Sequence, residues 1–419
     1  MVGNDPKTAG PIVFEPCSGY DQAGGLDFMD KIPARILPII VFSQFTGTSL
    51  WFAGNAVLGD LQQQWDLPAG ALGYLTSAVQ FGFIVGTLTF AFTALSDKVS
   101  PRVLFLACSL LGAFSNLMIY LAASGLVSLV VLRFVTGFFL AGIYPIGMKI
   151  ATGWYAKSLG KAIGFLVGAL VLGTAFPHLI KSFGGTLPWQ SVILIVSGVA
   201  VSGGILMFLG VPDGPHLPKK QAVFDPAALP GLFRSRDFRA ASFGYFGHMW
   251  ELYAFWAFLP FALQTWKTAH GADLNVPLWA FILIAVGFLG CSIGGLLSQT
   301  KGSAPVAFTQ LLISGLCCLL SPLLLQAPFF VLIAFLFVWG VTVIGDSPQF
   351  SALTAQTAPR ERVGSALTIV NCIGFSITIF SIQLLDWLSR EIPPQYIFLF
   401  LAPGPVFGLL AVKRLVHKA

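Results

Sequence analysis

The chain has 419 residues, of which 56% are hydrophobic and only 10% charged, with 39 Phe and a formal net charge of +6. That composition excludes a water-soluble globule and a disordered chain. Its positive balance suits loops that meet anionic headgroups, so nothing in it calls for nucleic acid.

Residues 1–35 begin Gly-, Pro- and Asp-rich and lack the basic and apolar regions of a signal peptide, which predicts a disordered cytoplasmic tail. Met29, just before Asp30 and Lys31, is an alternative start to Met1. Twelve apolar runs follow, at 36–56, 71–95, 102–123, 128–152, 160–183, 188–210, 239–265, 275–298, 304–325, 328–352, 363–385 and 394–415. Each is about 20 residues or more, the length a helix needs to cross some 30 Å of hydrocarbon. Strands would leave backbone groups unpaired in lipid, so the expected fold is an all-α membrane protein. With the N-terminus inside, all but four of the 23 Lys and Arg fall on the cytoplasmic side. Lys181, Lys267 and Arg390 face out and Arg133 lies within a span. Positive charge is retained in the cytoplasm during insertion, so this asymmetry predicts both the orientation and cytoplasmic termini.

The polar break at 211–238 separates a half at 36–210 from a half at 239–419 with a short cytoplasmic tail. The halves echo each other. Gly137, Gly142 and Pro145 in the fourth span recur 203 positions later as Gly340, Gly345 and Pro348 in the tenth, and Lys157 recurs as Arg360. At an offset of 200, Phe45 and Gly47 meet Tyr245 and Gly247. The fold expected is therefore two six-helix pseudo-repeats, an arrangement used for alternating access.

Charges inside a bilayer cost several kcal/mol, so each needs a protein or water-filled environment. Arg133 either serves a solute or proton, snorkels to the interface, or ties the fourth span to neighbouring carbonyls. His248 and Glu251, three apart, share one face of the seventh span near mid-membrane. A desolvated carboxyl there can load and unload a proton, with His248 tuning it. The alternative is a permanently neutral Glu that hydrogen-bonds across helices. Asp346 in the tenth span is a second such carboxyl, or a gate partner of Lys149. The six Cys have no metal-ligand or redox spacing, and no metal or other cofactor is expected.

The stretch from Thr93 to Arg102, with Asp97, Lys98 and Arg102, resembles the loop signature of the major facilitator superfamily between its second and third spans. Thr93 and Ser100 stand where that signature has glycines. Arg133 with Gly137 and Gly142 resembles the family's fourth-span signature, and Gly168, Gly173 and Pro177 loosely match its antiporter signature. The corresponding loop of the second half, Gly294 to Gln299, keeps the glycines and lacks the acid. Within the family the chain resembles the bacterial cyanate-permease-like branch. The resemblance implies that the first, fourth, seventh and tenth spans line a central cavity. Their stripes are Gln44, Thr48, Trp51 and Asn55; Arg133, Gly137 and Tyr144; Tyr245, His248, Glu251 and Phe255; and Trp339, Thr342 and Asp346, joined by His178 of the fifth span. It also implies that Asp97 and Arg102 latch the cytoplasmic face in the outward-open state, Asp97 accepting from Arg102 and from the start of the eleventh span near Val363 and Gly364.

These features predict a monomeric secondary transporter of the inner membrane, not an enzyme, coupled to protons and moving a small organic, anionic solute. A proton-driven efflux antiporter uses the same scaffold. A transport-dead receptor or a membrane-embedded enzyme fits less well, since no Walker A, zinc-protease or Ser/Lys motif is present.

Overall fold

The computed structural model describes residues 32–155, 159–183, 187–217 and 229–418. Ala34–Ala419 forms a compact unit distinct from Met1–Pro33. The expectations for the tail at 1–31 and for 218–228 of the central loop lie outside the described residues.

Among the described residues, ten helices are long and apolar enough to cross a membrane. They include Ala71–Thr93, Pro101–Leu121, Trp189–Gly210, Ser303–Leu324 and Val363–Glu391. Two more complete the expected twelve. The seventh span, Arg236–His270, runs 35 residues because polar turns extend it at both ends. The first span is Ile36–Thr48 and is not continuous to residue 56; a short segment, Ala53–Ala56, follows a turn. A further helix, Leu58–Trp65, lies between the first two spans, where the sequence carries no apolar run.

The surface is that of a protein in lipid. Phe42, Phe81, Phe114, Leu323, Phe330 and Phe380 are exposed, whereas Gln44, Gln80, Asn116, Arg133, His248, Glu251 and Asp346 are buried. Polar groups that hydrocarbon cannot satisfy are turned inward, away from lipid.

The repeated glycines perform the same packing in each half. A methyl at Gly137 would collide with the Val79 carbonyl of the second span, and one at Gly340 with the Leu283 carbonyl of the eighth. Gly142 packs on Cys108 of the third span, and Gly345 on Gln310 of the ninth. Small residues allow such close backbone approach where van der Waals packing drives association. Pro145 and Pro348 each stand at the start of a second helical segment, Tyr144–Trp154 and Ser347–Thr357, so the fourth and tenth spans break at matching places. Proline fits that position because its missing N–H would be unpaired there anyway.

Loops rich in cations define one end of the bundle, called here the basic end. There Ala94 ends the second span in the left-handed region, with φ 48°. Arg414 of the last helix and Lys418 just beyond it reach Asp237 at the start of the seventh span, at 2.8 and 2.6 Å.

Candidate functional site

Each half holds a buried polar knot. In the first half, Arg133 is fully buried and its guanidinium donates to the carbonyls of Leu50 (3.0 Å) and Trp51, and to Asn116 Oδ1 (3.4 Å). Those carbonyls belong to the turn that interrupts the first span, and helix ends leave such carbonyls without partners. Asn116 in turn donates to Ser197 Oγ of the sixth span at 3.0 Å. Arg133 therefore ties the fourth span to the broken first span, as one of its three expected readings holds.

The turn presents Trp51 to the other half. Its indole donates to Gln80 Oε1 at 3.1 Å and stacks on Tyr253 and Phe375, each at 5.7 Å. The stripe expected along the first span is thus not one helical face, because Trp51 lies in the turn. Asn55 beyond it donates to Thr76 at 2.7 Å, and Thr48 returns its hydroxyl to Gln44 O within its own helix. Gln44 packs over Gly147 with Phe105 behind, inside the first half.

In the second half, Glu251 is 1% exposed. Its Oε1 accepts from the Trp339 indole at 2.6 Å and its Oε2 from Ser314 at 3.0 Å. The tenth and ninth spans thereby grip a carboxyl of the seventh. One turn away, His248 Nδ1 lies 2.8 Å from Asp346 Oδ1, with both side chains essentially inaccessible. Asp346 occupies the break of the tenth span, between its two segments. The Tyr245 ring packs against His248 at 5.9 Å. Thr342 bonds to Val338 O of its own helix, Tyr144 begins the second segment of the fourth span, and His178 Nε2 finds no partner among the described residues. Among the described residues no group of three or more His, Cys, Asp or Glu is placed to hold a metal ion.

One of the two expectations for Asp346, a pairing with Lys149, is corrected. Lys149 does not reach Asp346; it binds Asp97 and the Ser96 carbonyl (2.7 Å) within the first half, while Asp346 takes His248. The latch expected of Asp97 and Arg102 belongs to the outward-open state; in this structure Arg102 lies over the Phe208 ring at 5.5 Å and Lys98 is exposed. Among the described residues, the hydrogen bonds between the halves lie at the end away from the basic loops. Gly73 N–H donates to Asp386 Oδ1 at 3.1 Å, Gln383 to Ser77 at 2.9 Å, and Asn275 to the Ser182 carbonyl at 3.2 Å. Phe83 and Phe375 pack at 4.5 Å further along the same two spans. Sequence reasoning missed Tyr253, Gln80, Ser314 and Asp386. Asp386 carried a signal, an acid one residue past the expected end of the eleventh span.

Comparison with known proteins agrees with this architecture. The family model described as Major Facilitator Superfamily matches residues 39–382. The chain is 24% identical over 264 residues to the probable sulfoacetate transporter SauU of Cupriavidus necator, covering 57% of this chain and 58% of that protein. It is 27% identical over 222 residues to the probable galactarate/D-glucarate transporter GudP of Bacillus subtilis, covering 48% and 47%. With the probable L-galactonate transporter of Escherichia coli it shares 24% over 284 residues, covering 62% and 60%. The matched stretch thus spans less than two thirds of each relative. A crystal structure of the nucleoside transporter NupG, in a point-mutant form, superposes with a TM-score of 0.68 over 90% of this chain and 99% of that one, at 15% identity. With a family model matched over most of its length and the same helical architecture, the chain belongs to the Major Facilitator Superfamily.

Proposed function

We propose that the chain is a secondary transporter that moves a small organic anion by alternating access, with Glu251 carrying a coupled proton. The observation that carries this reading is the grip on Glu251: a buried carboxyl held by the Trp339 indole and the Ser314 hydroxyl, inside the second half. A carboxyl needs such an environment to exchange a proton in response to which compartment it faces. His248 and Asp346, one turn away, supply the neighbouring titratable pair. The breaks in the first, fourth and tenth spans support a cavity at mid-bundle, because irregular backbone in a membrane is tolerated where it lines one.

The relatives' names favour the acid class, since they specify sulfoacetate and sugar acids. The cationic loops favour placing the basic end in the cytoplasm. On that placement the structure is closed to the outside, and both termini are cytoplasmic.

The test is transport by purified protein in liposomes, with sulfoacetate and sugar acids as probes. Wild type should accumulate one of them when the pH gradient is imposed. Glu251→Gln should lose that accumulation and keep solute exchange at equal pH. Accumulation by Glu251→Gln at the wild-type rate overturns the role of Glu251, and no movement of any acid by wild type overturns the substrate class.

A further inference from the structure

We infer that Asp386 is the keystone of a gate that closes the end of the bundle away from the basic loops, its carboxylate capping the start of the second span. Gly73 lies in the first turn of the helix Ala71–Thr93, and its N–H donates to Asp386 Oδ1 across 313 positions of sequence at 3.1 Å. The first turn of a helix has unpaired N–H groups and a partial positive charge, so a carboxylate from another helix binds there without a dedicated cation. The second oxygen is also held. Arg390, one turn along the eleventh span, donates to Asp386 Oδ2 at 2.9 Å and to the Asp386 carbonyl at 3.1 Å. Asp386 itself is only 3% exposed.

The steric fit is as specific as the bonding. A methyl at Gly73 would stand 2.8 Å from Asp386 Cγ, and one at Gly70 3.1 Å from Oδ2. Two glycines therefore form a cradle that only a side-chain-free turn provides. Gln383 and Ser77 add a second rung one turn inward, and Phe83 with Phe375 a third. At the basic end the acid of the corresponding loop, Asp97, is occupied by Lys149 of its own half. The polar cross-link between the second and eleventh spans thus sits at one end, as a gate that must break when that end opens.

This inference rests on the alternating access proposed above, and the experiment separates the two by reading the gate without any solute. Spin labels placed at exposed Tyr74 and Trp387 report the separation of the two helix ends by pulsed electron resonance in nanodiscs. Wild type should give a predominant short distance. Asp386→Ala should add a longer-distance population at its expense. Gly73→Ala should do the same with every charged group left in place, because its methyl displaces the carboxylate. The two together should open no further than either alone. Arg390→Ala, at a half-exposed position, should give a smaller shift and decides the matter should the buried variants not fold. Distance distributions identical to wild type in all folded variants overturn the gate, whatever the transport assay finds. Loss of the gate's effect with intact transport would leave the Glu251 proposal standing.

Discussion

The Trp339 indole and the Glu251 carboxylate, one from the tenth span and one from the seventh, are joined by a 2.6 Å hydrogen bond in a place neither water nor lipid reaches. The same indole ring packs on Phe255 at 4.5 Å and Phe398 at 5.5 Å, so it is held as an apolar body with one polar tip. Trp339→Phe keeps most of that packing and leaves Glu251 Oε1 without its donor. A hydrogen bond to a charged or strongly polar group is worth about 1.5–3 kcal/mol, and an unsatisfied buried acceptor costs a similar amount. Lower thermal stability in detergent and slower gradient-driven transport are expected, whereas Ser314→Ala should do less to both. Wild-type stability and rate in Trp339→Phe would remove the indole from the site.

Arg133 is expected to matter first for the shape of the first span. Arg133→Lys can satisfy one of the two carbonyls that the guanidinium reaches, because an ammonium lacks the planar fork. Arg133→Ala satisfies neither and leaves a cavity. Destabilisation of about 1–2 kcal/mol for Lys and about 3 kcal/mol or more for Ala follows from buried hydrogen bonds to a charged group. Because the braced turn carries Trp51, fluorescence or cross-linking at Trp51 should change in step with stability. A variant that melts like wild type yet binds an organic acid more weakly would reassign Arg133 to the solute.

The presence of the spans was legible because length and hydropathy act locally, although the first, seventh and eleventh end elsewhere than expected, and the repeat was legible because Gly137 and Gly340 meet the same constraint in each half. What escaped the sequence depends on distant partners. The turn at 49–52 contains neither Gly nor Pro, and the arginine that donates to its carbonyls lies 82 and 83 positions further on. Depth alone pairs Lys149 with Asp346, but depth does not say which half a side chain faces. His248 and Glu251 share a face as spacing predicts, yet each answers to a different partner, Asp346 and Trp339.

Asp97→Asn should leave stability nearly unchanged. The Lys149–Asp97 pair is partly exposed, at 12% and 24% of the two side chains, and pairs of that kind are worth about 1 kcal/mol or less. Lys149 also retains the Ser96 carbonyl. Any loss of transport in this variant would then report on the balance between conformations, which melting curves and initial rates measured on one preparation will separate.

Ala94 offers a stabilising change. It ends the second span with φ 48°, a conformation that costs a residue with a Cβ about 1–2 kcal/mol relative to glycine. The glycine position of the resembled loop signature falls on Thr93, one residue earlier, so the strain is not where that signature alone would put it. Ala94→Gly should raise the melting temperature, and Thr93→Gly should not. Equal effects of the two would mean the left-handed turn is not fixed at Ala94.

Asp237 links the last helix to the seventh span through surface contacts whose pH dependence can be read directly. Hydrogen bonds from Lys418 and Arg414 hold its carboxyl below the usual aspartate range. A carboxylate with a lowered value in the folded state contributes stability that is fully present above its unfolded value, about pH 4, and is lost as pH falls through the folded value. Asp237→Asn should therefore lower the melting temperature slightly at pH 7, and the two curves should converge in acid. Salt should shrink the difference at pH 7, because the contacts are solvent-exposed. A constant difference between the proteins from about pH 7 down to about pH 3 would show that Asp237 acts through something other than its charge, such as its place in the first turn of the seventh span.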